Sequence, residues 1–187
     1  MEGKCIILCA PSGAGKTSIT KFLLQQNLDL EFSISVCNRE PRRGEVNGVD
    51  YHFISTEGFK NRIKNEEFVE WEEVYKDNYY GTLATEINRI WNSGKNVIFD
   101  VDVKGGLSLT KYFGEKALAI FIQPPSIEAL EERLRARGTE DEEKIQKRLA
   151  KAEEELESSK WFDQIIVNDN LETAQKEVLT LVTSFLK

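Results

Sequence analysis

The sequence predicts an α/β fold in which a parallel sheet is flanked by helices and carries a small inserted mixed lobe and a helical lid. Continuous apolar runs are typical of strands buried on both faces of a parallel sheet. Such runs occur at Cys5–Cys9, 97–99, 117–122 and 165–167. The spacing between them leaves room for crossover helices. Two further stretches depart from this pattern and are predicted to form the lobe and the lid.

Size and charge limit the kinds of protein this chain can be. With 187 residues, 40% of them hydrophobic, it can bury one sizeable core. The net charge of −7 argues against non-specific binding to nucleic acids or anionic membranes. No apolar run reaches the roughly 18 residues of a membrane span, and residues 1–4 lead directly into a strand and not into a signal-peptide apolar region. We therefore expect a cytoplasmic protein without nucleic-acid or membrane partners, present as a monomer or weak homo-oligomer.

The cysteines and the one histidine exclude several chemistries. Cys5, Cys9 and Cys37 form no CxxC pair, and on a strand the first two lie about 13 Å apart, too far for a disulfide. Ordinary reduced thiols are expected. Because His52 is the only histidine, the chain has few residues that could form a zinc site or a Ser-His or Cys-His nucleophile pair. Most hydrolase mechanisms are thereby disfavoured.

Five segments make up the predicted organisation, with the core at 1–32, 89–125 and 157–187, the inserted lobe at 33–88 and the lid at 126–156. The lobe contains most of the tyrosine and tryptophan residues. It also contains a turn-prone stretch at 43–48 and an alternating apolar pattern at 51–53, which favour short antiparallel strands. The lobe is predicted to be an insertion between the first two core strands.

The lid is predicted to consist of two charged helices. Ser126 is a candidate N-cap of the first and Gly138 its stop, while Thr139 and Glu142 form a capping box that starts the second. Each helix has one narrow apolar face, made of Leu130 and Leu134 in the first and Ile145, Leu149, Ala152 and Leu156 in the second. Such a face fits a hairpin that projects from the body and moves as a lid.

The C-terminal segment is predicted to pack a last helix on the sheet. Asn170 is a plausible N-cap. Apolar residues follow it at helical spacing, at Ala174, Val178, Leu181, Val182 and Phe185.

A phosphate-binding loop is predicted at Ala10–Thr17, directly after the first apolar strand. A strand that runs through a Gly-rich turn into a helix aims backbone N–H groups, a helix N-terminus and Lys16 at one point, which suits a polyphosphate. The motif G-x-x-x-x-G-K-[ST] expects glycine where Ala10 stands, and alanine at a positive φ would be strained. The alternative is a strand-to-helix turn that binds nothing. The placement of Gly-Lys-Thr at the helix start favours the phosphate loop and hence a sheet of the P-loop NTPase type.

Two clusters of basic residues accompany this loop. In the lid, Arg133, Arg137 and Arg148 suit the charge neutralisation that phosphoryl transfer requires. The alternative is a solvated helix face with ion pairs to neighbouring glutamates. In the lobe, a group of arginines is followed by tyrosines, and guanidiniums together with tyrosine hydroxyls suit a phosphate monoester. An arginine-rich loop surface is the alternative. The lobe cluster comprises Arg39, Arg42, Arg43, Tyr51, Glu70, Tyr79, Tyr80 and Thr82.

Together these residues resemble the guanylate kinase family over nearly the whole chain. The resemblance rests on ordered motifs at 11–16, 39–42, 44–51, 68–71, 78–82, 100–102, 133, 137–139, 147–149 and 166–169. The sequence departs from the family pattern at Ala10, at Cys37-Asn38, where two threonines are usual, and at Lys104, where glutamine is common.

The resemblance implies transfer of the ATP γ-phosphoryl group to GMP, giving ADP and GDP, without a covalent enzyme intermediate and with dGMP as a further acceptor. The implied catalytic residues are Lys16, Arg133, Arg137 and Arg148. ATP contacts are implied for Ser12, Gly13, Ala14, Gly15, Lys16, Thr17, Ser18 and Asn168. GMP contacts in the lobe and beside it are implied for Ser35, Arg39, Arg42, Tyr51, Glu70, Tyr80, Thr82 and Asp102. Mg²⁺ is expected at Thr17 and, through water, at Asp100.

The chemistry of guanine agrees with the role of Glu70, because one carboxylate can accept both the N1–H and an N2–H of guanine. Adenine would present a bare N1 lone pair instead. Three alternatives stay open at this point. Asn168 suits a helix cap as well as an adenine contact. Domains similar to guanylate kinases also occur as non-catalytic modules that bind a phosphorylated partner, and loss of the loop lysine or the lid arginines, which this chain keeps, would indicate that class. A different P-loop enzyme, such as a GTPase or a kinase for another acceptor, is the third.

Overall fold

A computed structural model describes residues 3–42, 44–136 and 142–187. The strands of these residues are β1 (Cys5–Cys9), β2 (Leu30–Phe32), β3 (Val36–Cys37), β4 (His52–Phe53), β5 (Phe68–Tyr75), β6 (Asn78–Leu83), β7 (Asn96–Val101), β8 (Ala117–Gln123) and β9 (Gln164–Val167). The helices are α1 (Lys16–Leu24), α2 (Thr56–Lys64), α3 (Ala84–Asn92), α4 (Val103–Phe113), α5 (Ile127–Ala136), α6 (Glu142–Glu157) and α7 (Leu171–Leu186). Within this part of the chain, no helix is long and apolar enough to cross a membrane.

The core sheet has the strand order β2-β7-β1-β8-β9, and all of its strand pairs are parallel. The four apolar runs of the sequence form β1, β7, β8 and β9, so the predicted α/β class is confirmed. The burial predicted for the last run is wrong, because β9 is an edge strand and leaves Ile165 and Val167 exposed. Strand β2 was not predicted, because it is only three residues long and Glu31 interrupts its apolar character. It lies at an edge of the sheet, where fewer contacts require apolar side chains. The lobe therefore follows β2 in the chain and does not follow β1 directly.

Helices cover both faces of this sheet. On one face Ile7 and Phe99 pack with α3 and α4 through Ile87 and Leu109. On the other, Ile6, Leu8 and Ile98 pack with α1 and α7 in a cluster that also contains Ile19, Leu23, Val178 and Val182. Because both faces are covered, every residue of β1 is buried. The register places Leu8 beside Asp100 and Cys9 beside Val101, so the carboxyl ends of β1 and β7 meet at the start of the phosphate loop.

A second sheet has the order β4-β3-β6-β5 and mixes parallel with antiparallel pairs. This mixed sheet fits the predicted inserted lobe. Behind it Phe59, which is fully buried, stacks on Phe68 and Tyr79 at centroid distances of 4.5 and 5.5 Å. The aromatic cluster gives the small sheet a core of its own.

Helices α5 and α6 pack against each other through the predicted apolar faces. Leu130, Leu134, Ile145, Leu149 and Ala152 form one buried cluster, whereas Leu156 packs on the main core. The hydroxyl of Ser126 accepts a hydrogen bond from the Ala129 N–H, as the N-cap prediction requires. Gly138 and the Thr139 partner of the predicted capping box lie outside the described residues. In α7, the side chain of Asn170 accepts from the Thr173 N–H at 3.0 Å, which confirms that cap.

Candidate active site

The phosphate loop joins β1 to α1 through two glycines with left-handed backbone. Gly13 has φ +100° and Gly15 has φ +97°, conformations that favour glycine. No side chain caps α1, so its first N–H groups and the positive end of its dipole are available to an anion. The non-glycine residues with positive φ in the described chain are Asp29, Glu66 and Asp77. The predicted strain at Ala10 is therefore wrong, because its backbone does not need the glycine conformation.

Lys16 reaches across the loop to the end of β7. Its Nζ forms an ion pair with the Asp100 carboxylate at 2.7 Å and donates to the Val101 carbonyl at 2.5 Å. Burial opposes the charged form of the lysine, but the charge and hydrogen bond of Asp100, together with the nearby Cys9 and Asp102, outweigh it and raise the pKa of Lys16. The Thr17 hydroxyl donates to Asp100 at 3.2 Å. A carboxylate and a hydroxyl thus stand together beside the loop.

Two adjoining cavities open from this loop. The first, of about 350 Å³, lies above the loop and is lined by Ser12, Gly13, Gly15, Thr17 and Ser18 together with Lys151 and Glu155 of α6. The second, of about 260 Å³, lies on the second sheet and is lined by Ser35, Arg39, Glu70, Glu72, Tyr80 and Gly105 among others. Both are lined by Lys16, Arg42, Tyr51, Asp102 and Arg148. We call the first the loop cavity and the second the lobe cavity.

Arg148 marks the junction of the two cavities. It lies on α6, and its guanidinium donates to the Ser12 hydroxyl of the phosphate loop. The hairpin also touches the loop from α5, because a Cβ on Gly13 would lie 3.0 Å from the Leu130 side chain. The helical hairpin is thus packed directly over the loop and carries a cation to the point where the cavities meet.

At one end of the lobe cavity, the Arg39 guanidinium is held in place by several neighbouring groups. Its Nε donates to the Tyr80 hydroxyl at 2.9 Å, and its two terminal nitrogens donate to both carboxylate oxygens of Glu45 at 2.6 and 2.7 Å. The guanidinium also lies over the Tyr51 ring, 5.1 Å from its centroid. Hydrogen bonding to Arg39 lowers the pKa of Glu45 to about 2. Glu45 was not predicted as a site residue, and its position in the turn after Arg39 is the only sequence signal for it.

At the other end, Glu70 is buried and 8% exposed. One of its oxygens accepts from the Thr82 hydroxyl at 2.8 Å. Burial raises the pKa of Glu70 to about 7, the Thr82 hydrogen bond opposes this, and the nearby charge of Asp102 adds to the rise. Asp102 is the N-cap of α4 and accepts from the Gly105 N–H at 2.8 Å.

Gly105 was also missed by the sequence analysis. A Cβ there would lie 3.1 Å from oxygens of both Glu70 and Asp102, so a side chain would displace one of the two carboxylates. The requirement arises from two segments far apart in the chain, and nothing local in the sequence signals it.

Asn168 follows β9 and is 4% exposed. Its Nδ2 donates to the Ala14 carbonyl at 2.7 Å, which ties the loop to the end of β9. The cap of α7 is Asn170, so the alternative role of Asn168 as a cap is wrong. Arg133 donates to the Asn168 carbonyl at 2.9 Å and lines neither cavity among the described residues. Arg137 lies outside the described residues.

A phosphate loop whose cavity continues into a second, acid- and arginine-lined cavity defines a P-loop phosphotransferase with separate donor and acceptor sites. Comparison with known proteins identifies the family within this class. A family model described as guanylate kinase matches residues 2–185. A guanylate kinase of Bacteroides thetaiotaomicron is 53% identical over 186 residues, which cover 100% of this chain and 91% of that protein. One of Porphyromonas gingivalis is 51% identical, with 98% of each chain covered.

A solved structure agrees with these sequences. The crystal structure of guanylate kinase from Anaplasma phagocytophilum matches with a TM-score of 0.77 at 27% identity, covering 97% of this chain and 85% of that one. The chain therefore belongs to the guanylate kinase family, and the resemblance noted in its motifs is confirmed.

Proposed function

We propose that this protein transfers the γ-phosphoryl group of ATP to GMP, and also to dGMP, giving ADP and the nucleoside diphosphate. The observation that carries the proposal is the junction of the two cavities, where Lys16 and Arg148 line both. A donor held in the loop cavity and an acceptor held in the lobe cavity would meet at these two cations. Phosphoryl transfer needs this arrangement, because most of its catalysis is positioning and charge stabilisation.

In the lobe cavity, Arg39, Arg42, Tyr51 and Tyr80 would hold the GMP phosphate. The Arg39 contacts with Glu45 and Tyr80 fix the direction of its guanidinium before the ligand arrives, and this reduces the entropy lost on binding. At the other end Glu70 would accept two N–H groups of guanine, with Ser35, Thr82 and Asp102 around the base. A buried acceptor left unpaired costs about 1–3 kcal/mol, so this carboxylate disfavours adenine.

In the loop cavity, the backbone N–H groups between Ser12 and Ser18 and the Lys16 ammonium would hold the ATP phosphates. Lys16 would exchange part of its contact with Asp100 and Val101 for β- and γ-phosphate oxygens. We also propose, on the family resemblance alone, that Asn168 contacts the adenine. In the described residues its Nδ2 donates to the Ala14 carbonyl, and it lines neither cavity.

The oxygen donors beside the loop fit Mg²⁺. No group of three or more His, Cys, Asp or Glu side chains is placed to hold a metal ion in the described parts of the chain, and Mg²⁺ in kinases needs only one or two protein ligands besides substrate phosphates and water. Thr17 and, through water, Asp100 would hold the ion. When bound, it would supply positive charge to the phosphate oxygens.

Direct transfer between the two nucleotides requires no protein nucleophile. The buried thiols support this, because burial raises the pKa of both Cys9 and Cys37 and keeps them as unreactive thiols. Arg148, together with Arg133 and Arg137, would neutralise charge on the transferred group when the helical hairpin closes. We also propose that 33–88 acts as the GMP-binding lobe and 126–156 as the lid, between core segments at 1–32, 89–125 and 157–187.

Location and assembly are proposed on general grounds. Cys5, Cys9 and Cys37 are free and buried, which fits a reducing compartment and supports a cytoplasmic location. A monomer or weak homo-oligomer stays our prediction for the assembly.

A coupled assay that offers ATP and Mg²⁺ with GMP, dGMP, AMP, UMP or CMP in parallel tests the function. Turnover with GMP and dGMP, and at least about a hundredfold lower kcat/KM with the other acceptors, is expected. Binding of GMP without turnover would mean a non-catalytic module. Preference for another acceptor, or hydrolysis of GTP alone, would mean a different P-loop enzyme.

A further inference from the structure

Helix α6 presents a stripe of charged side chains to the loop cavity. Arg148, Lys151 and Glu155 all line this cavity, and residues three and four apart lie on one face of a helix. With a rise of about 1.5 Å per residue, Lys151 lies about 4.5 Å from Arg148 and about 6 Å from Glu155 along the helix axis. The proposed function uses Arg148 and gives the other two residues no role.

Lys151 is held by a long ion pair within the helix. Its Nζ lies 3.5 Å from Oε1 of Glu155, whereas charge-assisted hydrogen bonds to a carboxylate are about 2.7–2.9 Å long. Lys151 also lines a third cavity, of about 440 Å³, which lies between β5 and α6. Because there is open space on two sides of the side chain, the ammonium can exchange Glu155 for an anion that offers a shorter contact.

Glu155 places negative charge where nucleotide phosphates would bind. Its side chain is 12% exposed. Burial raises the pKa of Glu155, the charge of Lys151 opposes the rise, Asp102 adds to it and Lys16 opposes it. Charges from the phosphate loop and from the start of α4 therefore act on this carboxylate inside the cavity. A carboxylate in such a site repels phosphate, and Lys151 is the cation that α6 pairs with it.

The position of Lys151 indicates which phosphates it can reach. Arg148 lines both the loop cavity and the lobe cavity, whereas Lys151 lines the loop cavity and not the lobe cavity. A cation at the junction faces the phosphoryl group that moves between the nucleotides. A cation confined to the loop cavity faces the phosphates that stay there after transfer, and these are common to ATP and ADP.

We propose that Lys151 leaves Glu155 when a nucleotide binds and donates to the phosphates that ATP and ADP share. This rests on the proposed function, because it takes the loop cavity as the donor site. Lys151 thus holds the donor nucleotide, while Arg148 acts on the group in transfer. The alternative is that Lys151 only neutralises Glu155, as a helical ion pair of little energetic value. The two possibilities differ in what happens when Glu155 is removed as well.

The test is calorimetric titration with ATP and with ADP, in the presence of Mg²⁺ and without GMP. Lys151→Met should raise the dissociation constants of both nucleotides about tenfold, because a charge-assisted hydrogen bond to phosphate is lost. With GMP and saturating ATP, kcat should fall less than about threefold, since the contact is the same before and after transfer. Lys151→Arg keeps the charge and should bind ATP within about threefold of wild type.

The variant Lys151→Met/Glu155→Gln separates contact from neutralisation. If Lys151 touches phosphate, this double variant should bind ATP and ADP at least about fivefold more weakly than Glu155→Gln alone. If Lys151 only neutralises Glu155, the two proteins should bind within about twofold of each other, and the inference would be overturned. A loss confined to ATP, with ADP binding unchanged, would also overturn it, because the contact would then be to the transferred group.

Lys147→Met is the matched control on the same helix. Lys147 is 74% exposed, pairs with Glu143 at 2.6 Å and lines none of the three cavities. Its removal changes the net charge equally and should alter ATP binding less than about twofold. Equal weakening by Lys147→Met and Lys151→Met would overturn the inference.

The wild type distinguishes this inference from the proposed function. A wild type that binds ADP but does not phosphorylate GMP would overturn the proposed function alone. A wild type that binds neither ATP nor ADP would overturn both. Thermal melting identifies any variant that fails to fold, and Lys151→Gln then takes the place of Lys151→Met.

Discussion

Binding of GMP should weaken as the pH falls below neutrality, because Glu70 must be ionised to accept two guanine N–H groups. Burial raises the pKa of this carboxyl to about 7 in the free protein. A raised carboxyl pKa means that protonation persists to higher pH, so the binding-competent form is present above pH 7 and lost below it. From pH 8.5 to pH 6 the ionised fraction falls from about 97% to about 9%. The dissociation constant for GMP should therefore rise about tenfold, equivalent to roughly 1.4 kcal/mol.

The assay is calorimetric titration of the protein with GMP between pH 6 and pH 8.5. The phosphate group of GMP also titrates, with a second pKa of about 6, so the wild type alone cannot isolate Glu70. Glu70→Gln is the control, because it keeps the dependence that comes from the ligand and removes that of the carboxyl. At pH 8.5 this variant should have a kcat/KM for GMP at least about tenfold lower and an unchanged dissociation constant for ATP. Equal pH dependence in the two proteins would refute the reasoning.

Three further predictions concern the phosphate loop and the entry to the lobe. Lys16→Ala should lower kcat more than about a hundredfold while the dissociation constant for GMP stays within a few-fold, because the acceptor lies mainly in the other cavity. Gly15→Ala should lower the melting temperature by several degrees, because φ is +97° and the added Cβ would lie 2.2 Å from Asn168 Nδ2. The buried Glu86 accepts a hydrogen bond from the Ile34 N–H at 3.2 Å, at the entry to the lobe. Burial alone would raise the pKa of its carboxyl, but hydrogen bonds outweigh burial and the pKa is lowered. Glu86→Gln should therefore lower the free energy of unfolding by about 1–2 kcal/mol at pH 7. The difference should begin to shrink as the pH falls below the ordinary glutamate pKa of 4.5 and vanish only below the lowered pKa of the folded protein.

Each of these has an outcome that contradicts it. A Lys16→Ala variant with wild-type turnover would remove the phosphate-loop assignment. A Gly15→Ala variant with unchanged melting would show that the loop relaxes without loss. For Glu86, urea unfolding at pH 7 and pH 3.5 is the measurement, and a difference that stays constant between these pH values would show that the carboxylate charge contributes nothing.

The sequence was most informative where a structure depends on neighbouring residues. The apolar run Cys5–Cys9 and the following glycines predicted the strand and loop, because strand burial and glycine backbone are local properties. The Asn170 cap was predicted for the same reason. The expected strain at Ala10 was wrong, since a motif specifies residue types and the φ angle at each position depends on how the loop packs. Strand β2 was missed because three residues with a central Glu31 carry too little pattern.

By itself the sequence determined the fold class, the phosphate loop and the family, because local periodicity and ordered motifs indicate each of them. Tertiary structure alone decided which of the many charged residues meet. Glu70 and Gly105 are distant in the chain, yet they touch because α4 packs on β5. Arg148 lies at the junction of the cavities because the helical hairpin packs over the loop. Packing between segments sets these distances. The strength of an ionic or hydrogen-bonding contact depends on distance and burial. Neither quantity can be read from the order of neighbouring residues.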